Sequence, residues 1–193
     1  MEDRLATIST LKHGSHKPDH EYCVMEAVAY VAGEPWSDHP ACACPVLTAY
    51  AIQLNDRMLD DDMRTRLLLP LVIRLAGSKS TPAVESQRMF LLADRAVRIS
   101  APDALDSVGL GGEAQKLRDL PPITDRGSAN AATHAANVAA HAADAADAAY
   151  VAYAANAAAN AAANAAANAI HAATNAAWEL AAQALSDALN LTA

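Results

Sequence analysis

Apolar residues recur three and four positions apart in several short stretches of the first 120 residues, the spacing that places them on one face of an α-helix. Glu21 to Val31 is the first, with Val24, Ala27, Val28 and Val31 in step and Gly33-Glu34-Pro35 to end it. After a loop from Glu34 to Cys44, Pro45 suits the first turn of a second helix reaching Asn55. Asp60 to Leu75 reads as a third, kinked or split at Pro70. Pro82 to Ile99 reads as a fourth, with Val84, Met89, Leu91, Leu92 and Val97 as its core candidates. Two shorter turns, Asp103 to Leu110 and Glu113 to Leu120, complete the segment. Nowhere do β-branched residues alternate with polar ones over a strand's length, so the expected fold class is all-α.

The pattern changes after residue 120. Residues 121–128, Pro-Pro-Ile-Thr-Asp-Arg-Gly-Ser, have the chemistry of a linker, with Ser128 placed to cap the next helix. From Ala129 to Ala193 there is neither Gly nor Pro, and 35 of the 65 residues are alanine, the best intrinsic helix former. The expected organisation is a compact helical domain over 1–120, the linker, and a long Ala/Asn-rich C-terminal helix over 129–193. If continuous, that helix spans about 97 Å. At 100° per residue, Tyr153, Asn156, Asn160, Asn164, Asn168, His171, Asn175, Trp178, Leu185 and Leu189 share one face. Asn130, His134, Asn137, His141 and Asp144 form an earlier stripe on roughly the opposite side.

Charge sharpens this division. All 14 Lys and Arg residues lie between Arg4 and Arg126, and beyond them only Asp144, Asp147, Glu179 and Asp187 are charged. A solvated helix face ordinarily uses Lys, Glu, Gln or Arg, which form helices better than Asn and pair four residues apart. An Asn stripe that continues into Trp178, Leu185 and Leu189 points instead to an interface, because each amide both donates and accepts while flanking alanines permit close approach. The chain is therefore expected to self-associate, as a bundle or a filament, with Tyr153, Asn156, Asn160, Asn164, Asn168, Asn175, Trp178, Leu185 and Leu189 as contacts. Without charged flanking positions, helix orientation in the assembly stays open. Alanine-rich helices with short polar residues also resemble the fish type I antifreeze helices, which makes ice binding a minor alternative. Thr133 and Thr174 are too sparse for the regular Thr repeat of those proteins.

The net charge of −8 argues against nucleic acid held through phosphates and against an anionic membrane surface. The chain has no run of about 18 strongly apolar residues, and MEDRLATIST lacks the basic flank and apolar core of a signal peptide, so a cytoplasmic protein is expected. Three cysteines, two of them in Cys42-Ala43-Cys44, are too few and too close for a disulfide framework.

Chemistry concentrates between Glu21 and Pro45. Cys23, His39, Cys42 and Cys44, with Glu26 and His20 nearby, could hold zinc or an iron-sulfur centre if the loop folds back on the first helix. The spacing, Cys, eighteen residues, Cys, one residue, Cys, is not that of a common zinc knuckle. Buried structural cysteines, with His39 or Asp38 capping a helix, are the competing reading. An enzyme would use Glu26 as a base near His39, or Cys23 as a nucleophile paired with His39. No phosphate-binding glycine loop, oxyanion site or second acid accompanies them, so catalysis is not the favoured reading. The run Asp60-Asp61-Asp62 fits the start of a helix, with Arg64, Arg66 and Arg74 facing those acids or solvent.

The stretch CVMEAVAYVAGEPWSDHPACACPV, together with LPPITD, resembles a group of bacterial and phage-associated proteins, especially actinobacterial ones, in which a helical front domain precedes an alanine-rich repetitive tail. The resemblance covers roughly residues 20 to 126 by motif and the tail by composition alone. It implies that architecture and carries no catalytic residue with it. The expected function is thus structural self-assembly, with a metal- or small-molecule-binding module built on the Cys/His loop as the alternative.

Overall fold

A computed structural model of the protein describes residues 1–18, 21–145 and 175–191. Among them every regular element is helical: α1 (Glu2–Leu5), α2 (Val24–Ala32), α3 (Pro45–Arg57), α4 (Asp61–Leu68), α5 (Val72–Ala76), α6 (Pro82–Arg95), α7 (Ala101–Ser107), α8 (Gly111–Arg118), α9 (Arg126–Ala145) and α10 (Asn175–Leu189). The all-α expectation holds. None of these helices is long and apolar enough to cross a membrane.

The chain divides into two compact units, Met1–Arg88 with Leu185–Ala193, and Met89–Ala184. This differs from a boundary at the 121–128 linker, because the end of α10 belongs to the first unit. The single helix expected over 129–193 is represented by α9 and α10, and 146–174 lie outside the described residues.

In the first unit α2 is the central element. Val24, Met25, Ala27, Val28, Ala29 and Val31 are all buried, and the helix packs against α1, α3 and α5. It ends where Gly33 takes φ 77°, a left-handed conformation that glycine adopts without a side-chain clash. Pro70 splits the third predicted helix as expected: a 3-10 turn at Leu69–Leu71 separates α4 from α5. Asp60 starts α4 by accepting a hydrogen bond from the Met63 N–H at 2.8 Å.

Arg64 meets Asp61 of the acidic run, as expected, but it is 1% exposed and so does not face solvent. Its guanidinium donates to the Asn55 and Met58 carbonyls and to Asp61, closing the C-terminal end of α3. Arg88, 3% exposed, does the same for α10, donating to the carbonyls of Ala188 and Leu191 and also to that of Ser78. Arg74 reinforces it through the Ser186 hydroxyl and carbonyl and the Asn190 side-chain oxygen. Asn55, fully buried, accepts from the Val24 N–H at the start of α2 and donates to the Lys12 carbonyl.

In the second unit α7 packs against α8 and α8 against α9. A π turn at Ala96–Ser100 precedes α7, where Pro102 has no N–H to return to the preceding turn. Along the fourth predicted helix Val84, Leu92 and Val97 are buried as expected, whereas Met89 and Leu91 are half-buried. Asp125 caps α9 in place of Ser128: its carboxylate accepts the Ser128 N–H at 2.8 Å, and the Ser128 hydroxyl accepts the Asp125 N–H at 3.1 Å. These bonds hold the Asp125 carboxyl below its ordinary pKa.

Arg64→Met removes a buried donor set from two carbonyls and should destabilise the protein by roughly 2–4 kcal/mol in denaturant melts; a loss within error of zero would contradict its closing role. Lys12 first, then Arg64, lowers the Asp61 pKa below its ordinary 3.8. The stabilisation from this shift is complete above that ordinary value and is lost as pH falls through the lowered one. Asp61→Asn should therefore lower the melting temperature more near neutral pH than in strong acid, and equal losses at both would count against the pairing.

Candidate functional site

The loop between α2 and α3 is tied into a fixed shape by its own acids. Glu34 accepts the Ala41 and Cys42 N–H groups at 2.7 and 2.9 Å, Ser37 accepts the His39 N–H, and Asp38 lies 2.7 Å from His39 Nδ1. The loop is anchored beyond itself by the Lys79 N–H on the Cys42 carbonyl and by Ser78, whose hydroxyl accepts the Cys44 N–H. A cavity of about 240 Å³ opens beside it, lined by Thr48 and Lys79 together with His39, Pro40, Ala41, Ala43 and Pro45.

The four candidate metal ligands take separate jobs. Cys23 precedes α2, where its sulfur accepts the Glu26 N–H at 3.4 Å. Cys42 is half-buried beside Glu34, Cys44 precedes α3 fully buried, and His39 is largely exposed with Asp38 as its partner. Among the described residues no three His, Cys, Asp or Glu side chains are grouped as a metal ion requires, so Cys23, His39, Cys42 and Cys44 do not assemble the centre that the sequence suggested. His20 lies outside the described residues.

Glu26 is likewise spent on structure. Its side chain is 2% exposed and accepts the Cys23 N–H at 2.8 Å and the His16 N–H at 2.6 Å, while His16 Nδ1 stands 3.0 Å from its second oxygen. Trp36 donates its indole N–H to the His16 carbonyl. The carboxylate thus closes the start of α2 and pins the preceding segment to it. Neither the Glu26–His39 nor the Cys23–His39 pairing is formed. Burial pushes the Cys23 thiol up to about 12 despite the Glu26 N–H on its sulfur, and burial with Glu34 pushes Cys42 up to about 11, the reverse of what a nucleophilic thiol needs.

No protein-family model matches the chain, and no curated protein or solved structure matches it.

The second candidate surface is the outer face of α9. Ala129, Ala132, Ala136, Ala139 and Ala140 are buried, whereas Asn130, His134, Asn137 and His141 are exposed and Val138 is 46% exposed among them. Asn130, His134, Asn137 and His141 of the early stripe expected from the sequence therefore face outward, and the Asp144 side chain lies outside the described residues. From Gly127 to Ala143 the helix has no charged residue.

The later stripe is only partly described. Tyr153, Asn156, Asn160, Asn164 and Asn168 lie outside the described residues, as do the side chains of Asn175 and Trp178, whose backbone opens α10. Leu185 and Leu189 were expected to face another copy. They are instead buried at 0% and 9% in the first unit of their own chain, where they serve as core.

Sequence reasoning missed His16, Lys79 and Thr48. His16 reaches Glu26 from an irregular segment with no periodicity to reveal it. A fainter signal marked Thr48: cysteine is a weak helix cap, so Cys44-Pro45 leaves the first turn of α3 without a side-chain acceptor.

Native protein at mildly alkaline pH should react slowly at Cys23 and Cys42 with a thiol-specific disulfide reagent and release a full three equivalents once unfolded. Rapid native modification of Cys23 would restore the nucleophile reading.

Proposed function

We propose that the protein is a helical scaffold that assembles with copies of itself, and that the outer face of α9 is a contact between copies. The observation that carries this is the seventeen-residue uncharged stretch of α9 whose exposed side includes Asn130, Ala131, His134, Asn137, Val138 and His141. With a net charge of −8, copies repel one another over most approaches. A charge-free face is where that repulsion is smallest.

The same face suits a second copy for a chemical reason. A two-fold contact places one surface against itself and so requires self-complementarity. The amide of Asn and a neutral imidazole each provide both a donor and an acceptor, so one face can satisfy its own image. Among the described residues no hydrogen bond occupies the side chains of Asn130, His134, Asn137 or His141 within the chain. Val138 supplies an apolar centre, and the small exposed Ala131 leaves room for close approach.

Sedimentation of the full chain over a wide concentration range tests the proposal. The parent should reach a multiple of 20.1 kDa, more readily as added salt screens the self-repulsion. The double variant Asn130→Lys/Asn137→Lys, with helix content unchanged by circular dichroism, should need at least about tenfold more protein to associate, since two unpaired charges would be buried. A parent monomeric at every concentration, or a double variant that associates as well as the parent, would overturn it.

A further inference from the structure

The cavity beside the α2–α3 loop is not used by the self-assembly reading, and its polar groups share one character. We propose that it is a binding subsite for a small phosphate-bearing molecule, which it holds by the phosphate group.

The argument begins with Thr48, which lines the cavity and is 3% exposed. A helix threonine normally turns its hydroxyl back to the carbonyl four residues earlier, as Thr65 and Thr133 do toward Asp61 and Ala129. Thr48 makes no such bond and has no other among the described residues. The described side-chain polar atoms that lack a partner and are shut off from solvent are Tyr50 Oη, Glu85 Oε1 and Arg98 Nε. The Thr48 hydroxyl is not one of them, so it is unpartnered yet reachable, and the cavity is what it borders.

The second component is the start of α3, a thirteen-residue helix whose first turn has no side-chain cap. Pro45 at its first position has no N–H, which leaves the Val46 and Leu47 N–H groups at the positive end of the helix dipole without the usual acceptor. Lys79 and His39 complete the lining. Asp38 occupies His39 Nδ1, which leaves Nε2 as the free nitrogen. Three carboxylates lie nearby, each engaged: Asp38 with His39, Glu34 with two backbone N–H groups, and Glu85 in a 3.7 Å ion pair with Lys79, a separation beyond hydrogen-bond length that leaves the ammonium N–H groups able to donate elsewhere.

Thr48, Lys79 and Pro45, the first residue of α3, line one small space, and a hydroxyl, an ammonium and the positive end of a helix together match a tetrahedral oxyanion, which accepts from several directions at once. The volume, below the roughly 300–1,000 Å³ of a site that encloses a drug-sized ligand, fits an ion or an end group, with the remainder of the molecule outside.

Titration of inorganic phosphate into the full chain, at constant ionic strength set with chloride, reads this directly by calorimetry. The parent should bind saturably, and Thr48→Val and Lys79→Gln should each weaken binding about tenfold. Thr48→Val should also melt no lower than the parent without phosphate, because it removes an unpartnered hydroxyl from a nearly buried position. Equal binding of phosphate and acetate would overturn the preference for phosphate. No saturable binding by the parent, or binding unaffected in both variants, would mean an adventitious ion only.

Discussion

Short helices leave a large share of their backbone groups unpaired at their ends, and this fold depends on side chains that reach past those ends to satisfy them. The most consequential are buried and charged. Glu26 closes the start of α2 and binds His16 to it; Arg64 closes the end of α3; Arg88 closes the end of α10. A strongly polar group in such a position is tolerated because each of its side-chain nitrogens or oxygens has a hydrogen-bond partner, and the cost of leaving one without a partner makes the arrangement specific. Apolar burial is non-directional, and these hydrogen-bonded closures add direction to it.

That constraint also decides which residues remain for function. Cys23 and Glu26 are chemically suggestive in sequence, yet both are consumed in starting α2, and burial holds the Cys23 thiol protonated. Leu185 and Leu189 are consumed in the core of the first unit. Among the described residues, the uncharged face of α9 remains outward and uncommitted, as does, separately, the small cavity where α3 begins without a cap.

Much of the fold was legible because the signals are local. Pro45 opening a helix, Pro70 splitting one, Gly33 ending one and Asp60 starting one all act on the chain within a few residues of themselves, and each does so in the structure. The closures were not legible, since an arginine on an amphipathic helix looks the same in sequence whether it meets solvent or a carbonyl of another element. Arg64 was expected among acids or solvent. It does meet Asp61, but its main partners are two carbonyls that only the turn after α3 brings within reach. The same ambiguity affected Leu185 and Leu189, because periodicity shows which residues share a face and not what covers it. For α9 the stripe was readable, and its outward direction follows from the burial of the alanine side in the structure.

The claim that copies meet through α9 is tested most directly by magnetic resonance on a mixture of isotope-labelled and unlabelled chains. The account predicts intermolecular proton contacts from the Asn137 side-chain amide and the Val138 methyls to α9 of an unlabelled copy. Association that yields intermolecular contacts only from other surfaces, with those of Asn137 and Val138 confined to solvent, would contradict it.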